Sequence, residues 1–164
     1  MDLKFSFADR QPAAHDHDAD GAAMPPGSRA LPFSTAPSAT SSELILRVSR
    51  TAGSDADAPV VGEALSGDGV SYGRSEVRLR GAASDIEALA ATVRSATARV
   101  VAELGDPLSA SITRLEFALG GTEASVAALL ALDPGSGPGE LARASESFQM
   151  RTGLAAGTPV VQAG

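Results

Sequence analysis

The chain has 164 residues, a formal net charge of −7 and no cysteine, and one lysine, Lys4, stands among its 13 basic residues. The absence of cysteine excludes a disulfide framework, a thiolate zinc site and a cysteine nucleophile. The arginines are scattered and the aromatic content is 4%. This composition disfavours nucleic-acid binding, which needs clustered cations and stacking surfaces.

Membrane insertion and secretion are not expected from the hydropathy pattern. No apolar run approaches the roughly 18 residues that a transmembrane helix needs. The first residues, MDLKFSFADRQ, contain no apolar segment of secretory length. We therefore expect a cytoplasmic protein.

The N-terminal quarter of the chain is predicted to be a disordered tail. The tail is placed at residues 1–41 and is acidic. From residue 9 to residue 42 the chain is rich in Ala, Pro, Ser, Asp and Gly and has no apolar period, so this stretch cannot bury enough surface to offset the entropy of ordering. Within this tail, the alternation of Leu3, Phe5 and Phe7 is compatible with a short edge strand over residues 3–7.

Alternating apolar residues predict strands in the next segment. The pattern indicates one strand over residues 44–48 and another over residues 76–80, whose charged side is expected to face solvent. The loop between them is rich in turn-forming residues and contains a candidate short strand at residues 59–65.

A long amphipathic helix follows. Ser84–Glu87 has the capping-box pattern, in which the serine oxygen accepts a hydrogen bond from a backbone amide and the glutamate reaches back to the serine amide. Apolar residues then recur every three or four positions as far as Leu104, which predicts one buried stripe. Gly105 and Pro107 are expected to end the helix.

The remaining elements are shorter. Residues 112–119 alternate and predict a strand, and residues 122–132 fit a helix slightly better than a hairpin arm. Residues 133–139 read as a linker, residues 139–150 as a short helix, and residues 152–164 as a loose C-terminal end.

These elements predict an α+β fold, in which a small antiparallel sheet is packed by one long amphipathic helix. The core domain is expected over residues 42–133. Residues 134–164 are expected to form a linker, a short helix and a loose end. The predicted core consists of Leu44, Leu46, Val77, Leu79, Ile86, Leu89, Val93, Val100, Leu104, Leu115, Phe117 and Leu119.

A possible hydrolase motif occurs at Gly69–Gly73, which matches the G-x-S-x-G pattern of esterases and lipases. That chemistry needs a histidine after the serine in the chain and a strand-to-helix turn around the serine. No histidine follows Ser71, since the two histidines are His15 and His17, and the residues after Gly73 predict a strand. The motif is therefore interpreted as a loop.

A possible calcium loop begins at Asp16–Gly21, which reproduces the opening D-x-D-x-D-G pattern. The twelfth position should be a glutamate that gives two oxygens, but it is Gly27. We therefore predict no metal ligands. Weak binding of divalent ions by the Asp-rich tail, through His15 and His17, stays an alternative.

Phosphate-binding and acid–base patterns are missing as well. The chain contains neither G-x-x-x-x-G-K-[ST] nor a G-x-G-x-x-G between a strand and a helix. The acidic pairs Glu63/Asp68 and Glu140/Glu146 are placed in a loop or on a solvent-facing surface. We therefore predict no catalytic residue, no enzymatic activity and no cofactor.

Residues 84–120 combine a helix of about 20 residues, a short proline-containing turn and an alternating strand with the sequence Leu115-Glu116-Phe117. This arrangement resembles the trypsin-co-occurring domain of the first type, although Ala118 stands where that family has a glycine. Members of the family are small bacterial domains found beside trypsin-like proteases and other effectors. The resemblance implies a non-catalytic α+β adaptor that binds such an effector in a defence or signalling system, through a sheet edge or a helix face.

The candidate partner-binding residues are Arg114 and Glu116, on the polar side of the predicted strand at residues 112–119. Two other functions stay open. One is a structural subunit of a phage-like or secretory particle, in which the tail orders against neighbouring copies and the chain self-associates. The other is the weak metal-binding module described above.

Overall fold

A computed structural model describes residues 43–50, 58–82 and 84–164. The predictions of a disordered tail, a strand over residues 3–7 and a metal-binding segment lie outside these residues. The described part has an α+β fold, as predicted. In chain order its elements are β1 (Leu44–Ser49), β2 (Pro59–Ser66), β3 (Ser71–Arg78), α1 (Ile86–Leu104), a 3-10 helix (Leu108–Ser111), β4 (Ile112–Ala118), α2 (Glu123–Leu129), β5 (Asp133–Pro134), β6 (Glu140–Arg143), α3 (Glu146–Thr152) and β7 (Pro159–Gln162).

The strands form one seven-stranded sheet in the order β3-β2-β1-β4-β7-β6-β5. The predicted small antiparallel sheet is wrong in two respects, because this sheet is larger and mixed. β1, β2 and β3 form an antiparallel meander, whereas β4 runs parallel to both β1 and β7. α1 is the reason for the parallel pairing, since it carries the chain back along the sheet before β4 begins.

α1 follows the predicted pattern closely but begins one residue later than its capping box suggests. The N-cap is Asp85, whose Oδ1 accepts a hydrogen bond from the amide of Ala88 at 3.0 Å. Asp serves as well as Ser at this position, so the prediction of Ser84 as the cap is wrong by one residue. At the other end the predicted stop is confirmed, because Gly105 is the C-cap, with φ 60°.

The helix lies close to the sheet because β2 carries a glycine beneath it. A Cβ atom on Gly62 would lie 3.0 Å from Val100 Cγ2 and 3.2 Å from the carbonyl oxygen of Ala96, which is tighter than ordinary packing. The predicted core is confirmed. All its members lie in the buried cluster except Val77 and Ile86, which are half-buried and pack against it.

The C-terminal segment is more ordered than predicted. β7 is an inner strand that lies between β4 and β6, with Leu115 in register with Val160. The prediction of a loose end is therefore wrong. The predicted helix over residues 139–150 is half right: its first part is β6, and α3 begins after Ser145, whose hydroxyl accepts a hydrogen bond from the amide of Phe148 at 3.1 Å.

Three further strands and one helix lie near the bounds predicted from the sequence. The candidate strand at residues 59–65 is β2, and the helix favoured over residues 122–132 is α2. The strand predicted for residues 76–80 is β3, which begins earlier, at Ser71, and forms a hairpin with β2. The strand predicted for residues 112–119 is β4.

The helices cover one face of the sheet. α1 packs on β1, β2 and β3 and contacts both α2 and α3. Buried positions alternate with more exposed ones along β1 and β2, so among the described residues the opposite face has no helix over it. No helix in this part of the chain combines the length and the apolar character needed to cross a bilayer.

Candidate partner-binding site

The outer edge of β3 is the longest open strand edge in the described part of the chain. β3 has eight residues and pairs with β2 on one side, while no described strand pairs with its other side. The opposite edge of the sheet is β5, which has two residues. Since backbone groups along an unpaired edge can accept a further strand, the β3 edge is the place where this sheet can be extended.

Charged side chains line the β3 edge. Arg74, Glu76 and Arg78 are exposed, whereas Gly73 is buried near α1. Arg74 Nη2 lies 2.8 Å from Glu76 Oε1, and both side chains are more than half exposed, so this ion pair contributes little to folding. Charges on an edge strand discourage unspecific pairing, and they leave the edge open to a partner of matching charge order.

A groove of about 280 Å³ runs between β3 and α1. Small residues of α1 and the side chain of Val77 form its uncharged part. Its rim carries three exposed arginines, Arg78, Arg80 and Arg99, and within the described ranges none of them forms an ion pair. We call this the arginine groove. Its lining consists of Val77, Arg78, Arg80, Ala88, Ala91, Thr92, Ser95 and Arg99.

The hydroxyl groups in the arginine groove are already engaged as donors. Thr92 donates to the carbonyl of Ala88 at 2.7 Å, and Ser95 donates to the carbonyl of Ala91 at 2.9 Å. The donors that remain available are therefore the guanidinium groups, which bind carboxylate and phosphate oxygens in a planar, two-bond geometry. The chemistry of this groove favours an anionic ligand.

The predicted binding residues lie elsewhere, on the open face of the sheet. Glu116 is 7% exposed. Its Oε2 accepts hydrogen bonds from Arg47 Nε at 3.1 Å and Nη2 at 2.9 Å, and its Oε1 accepts one from Arg114 Nε at 2.8 Å. Burial on its own would raise the pKa of Glu116, but the hydrogen bonds from Arg47 and Arg114 outweigh it, so the pKa lies below the ordinary 4.5.

The three-residue cluster was only partly visible in the sequence. Arg47 was not predicted, although it stands directly opposite Glu116 in the parallel pairing of β1 and β4. Its sequence signal is a charged residue at an outward position of β1, but nothing local identifies β4 as the neighbouring strand. The structure brings Arg114 and Glu116 together, and their part in binding a partner stays a prediction.

Charges on the open face compensate one another across the sheet. Arg74, Glu63, Arg47 and Glu116 stand in register on β3, β2, β1 and β4, so the signs alternate along the row. Cross-strand pairs of opposite charge stabilise a sheet. This face is therefore close to neutral, whereas the arginine groove carries exposed arginines that have no ion pair among the described residues.

Glu123 and the turn after β4 form a structural contact. Glu123 is 5% exposed, and its Oε1 accepts a hydrogen bond from the amide of Leu119 at 2.7 Å. Burial acts to raise the pKa of Glu123, but hydrogen bonds from backbone amides, including its own and that of Leu119, hold the pKa below 4.5. This carboxylate fixes the chain between β4 and α2.

Two further carboxylates hold loops. Glu140 Oε2 accepts hydrogen bonds from the amides of Ser136 and Gly137, both at 2.9 Å, and these bonds lower the pKa of Glu140. Asp68 accepts a hydrogen bond from the hydroxyl of Ser66 in the turn after β2, which lowers the pKa of Asp68. Both groups act as turn-forming acceptors.

The interpretation of Gly69–Gly73 as a loop is wrong for its second half, because β3 begins at Ser71. Ser71 is the first residue of β3, which follows a turn from β2 and leads into a strand. The strand-to-helix turn of a serine hydrolase is therefore not formed around it. Glu63 lies on β2, and Glu146 lies in the first turn of α3. Within the described ranges, no group of three or more His, Asp or Glu residues is placed to hold a metal ion.

Comparison with protein-family models, with curated proteins and with solved structures finds no significant match to this chain. The resemblance of residues 84–120 to the trypsin-co-occurring domain of the first type therefore stays a prediction. What the fold and the site define in the described residues is an α+β domain with one long open strand edge beside a basic groove.

Proposed function

We propose that this chain is a non-catalytic adaptor that binds a protein partner by strand addition to the β3 edge. The observation that supports it is the eight-residue strand whose outer side has no partner strand in the described ranges. In strand addition, main-chain hydrogen bonds supply affinity and side chains at the edge supply specificity. The resemblance of residues 84–120 adds an effector such as a trypsin-like protease, in a bacterial defence or signalling system, as the kind of partner.

The β3 edge fits this role better than the open face of the sheet. On the open face, Glu116 is already neutralised by two arginines, and breaking such a pair to bind a partner costs free energy. Along β3, Arg74 and Glu76 form an exposed ion pair that water screens. A partner can rearrange that pair at little cost.

A site-specific crosslinking experiment tests the proposal. Because the chain has no cysteine, a single cysteine gives a unique attachment point for a photocrosslinker. Glu76→Cys places the crosslinker on β3, and Met150→Cys, at a position 83% exposed on α3, is the matched control. After capture from native lysate, we expect one protein to crosslink through position 76 and not through position 150. Equal crosslinking from both positions contradicts the proposal.

Self-assembly is the second candidate function, and the charge order of β3 favours it. If two copies of β3 pair in antiparallel orientation about Ser75, Arg74 of each copy stands opposite Glu76 of the other. Such pairing is self-complementary, as a two-fold interface requires. Light scattering of the purified chain over a range of concentrations separates the two functions. A dimer that forms without a partner, with a crosslink from position 76 to a second copy, supports assembly.

A further inference from the structure

We infer that the arginine groove recognises an extended protein segment with acidic side chains at alternate positions, and that Arg80 and Arg99 are its specificity-determining residues. Arg78 also borders the groove, but strand alternation places its side chain on the same face of β3 as Arg74 and Glu76, away from α1. This inference rests on the proposed adaptor function, since it describes the partner that adds to the β3 edge. The inference adds the chemistry of that partner and the residues that contact its acidic side chains.

The first argument is the distribution of ion pairs. Four arginines of the described part, Arg47, Arg74, Arg114 and Arg143, each pair with a glutamate of the chain. The arginines on the rim of the arginine groove have no such pair among the described residues, although the chain has a net charge of −7. Arg94 and Arg151 have none either, so what distinguishes the rim arginines is their place in a groove beside the β3 edge. Their charge is therefore available to a ligand.

The second argument is the geometry of strand addition. A strand added to an edge lies about 4.8 Å from it, and every second side chain points to the same face. On the side facing α1, those side chains enter the arginine groove beside Val77. Side chains two residues apart on the added strand are about 6.6 Å apart, so two successive acidic groups reach different arginines along the rim.

The third argument is the size of the arginine groove. Its volume of about 280 Å³ lies below the roughly 300–1,000 Å³ of typical small-molecule sites. Half of its lining residues are small residues of α1, so the groove accepts side chains of a neighbouring segment better than a whole cofactor. Bidentate contacts between guanidinium and carboxylate groups then fix the register of the added strand.

A protein segment fits better than a nucleic acid, although both are anionic. Single-stranded nucleic acids bind where aromatic side chains stack on the bases, and no aromatic residue lines the arginine groove. The net charge of −7 also repels a long polyanion, whereas a short acidic segment meets mainly the local field of three arginines because salt screens charges beyond about 8 Å.

The test uses the full-length chain and two defined fluorescent peptides, one that alternates Val with Glu and one that alternates Val with Gln. We expect the Glu peptide to bind at least about tenfold more tightly than the Gln peptide, and this preference to fall with added salt. The Arg80→Glu/Arg99→Glu variant should lose the preference. The control variant is Arg151→Glu, which reverses one charge at an exposed position on α3, far from β3 in sequence. This variant should keep the preference for the Glu peptide.

Each other outcome overturns the inference. No binding of the Glu peptide, equal binding of the two peptides, or an unchanged preference in Arg80→Glu/Arg99→Glu contradicts acidic recognition, and so does tighter binding of a single-stranded oligonucleotide of equal length. Cooperative melting of each variant checks that it is folded, and Arg99→Gln replaces the double variant if that one does not melt cooperatively. If Arg80→Glu/Arg99→Glu still crosslinks its partner through position 76, the acidic recognition is wrong while the adaptor function stands. If the wild type crosslinks no partner, the adaptor function itself fails.

Discussion

Glu116 shows how one residue can be read as a binding residue from the sequence and as a structural one from its contacts. It lies on the open face of the sheet, yet it is 7% exposed because Arg47 and Arg114 extend over it. The stems of long arginine side chains cover apolar surface while the guanidinium groups stay wet. Through its hydrogen bonds with Arg47, the carboxylate of Glu116 links the parallel strands β1 and β4.

The first prediction concerns this carboxylate. Glu116→Gln removes the charge that two arginines share, and both arginine side chains are about half exposed, so water replaces part of the lost interaction. We expect the free energy of unfolding at neutral pH to fall by about 1–2 kcal/mol, measured by urea denaturation.

Glu63→Gln is the matched control for Glu116. Glu63 stands on the same face, in register with both Arg47 and Arg74, but it has no ion pair among the described residues. We expect its substitution to change the free energy of unfolding by no more than about 0.5 kcal/mol. An equal loss of unfolding free energy in the two variants shows that the change in net charge, and not the loss of the contacts with Arg47 and Arg114, destabilises the fold.

At the scale of elements, the C-terminal segment completes the sheet and the core. Leu154, which follows α3, is fully buried, whereas Met150 within α3 is 83% exposed. We predict that Leu154→Ala lowers the free energy of unfolding by about 2–5 kcal/mol, because the lost packing leaves a cavity. Met150→Ala should change it by no more than about 0.5 kcal/mol. Urea denaturation measures both, and a small effect of Leu154→Ala contradicts the role of this segment in the core.

Long elements with a clear period were predictable, and short ones were not. α1 has 19 residues with a continuous apolar stripe and capping residues at both ends, so several local signals agree. β7 has four residues, which is too short for an alternation to be distinguished from chance. β7 pairs with β4, where Leu115 is in register with Val160. These residues are far apart in the sequence, so local patterns do not predict that they pair.

The same distinction applies to the candidate site. The shared face of Arg114 and Glu116 was predictable because the alternation of β4 places them on one side of a strand, while their part in binding a partner stays a prediction. Arg99 was missed because its position beside Arg78 and Arg80 depends on how α1 packs against β3. The glycines of the sheet hold part of that information, since Gly62 allows α1 to approach closely, but a glycine in a strand does not reveal which helix will lie over it.

At the scale of the whole molecule, charge is unevenly distributed. The chain has a net charge of −7, yet the arginine groove collects three cations without acidic neighbours in ion-pair contact among the described residues. An acidic excess of this kind discourages unspecific contacts with polyanions. On the function proposed above, a basic groove beside the β3 edge selects partners by local charge, as recognition of a short acidic segment requires.

The last prediction concerns acid stability. Asp68, Glu116, Glu123 and Glu140 all have pKa values below their ordinary values of 3.8 for Asp and 4.5 for Glu. A carboxyl group whose pKa is lower in the folded state stabilises the fold above its unfolded pKa, and this contribution is lost as the pH falls through the folded pKa. We therefore expect the free energy of unfolding to be nearly constant from about pH 7 to about pH 5 and to decline below the ordinary glutamate value of 4.5.

The Glu116→Gln variant isolates one part of this decline. Glutamine does not titrate, so the variant lacks the stabilisation that the ionised Glu116 gives the wild type. The difference in free energy of unfolding between wild type and variant should therefore shrink as the pH falls below 4.5. Urea denaturation of the wild type and of Glu116→Gln at a series of pH values gives both curves. A difference between wild type and Glu116→Gln that stays constant into acid contradicts the ionised, arginine-bound state of this carboxylate and leaves packing as the reason for its burial.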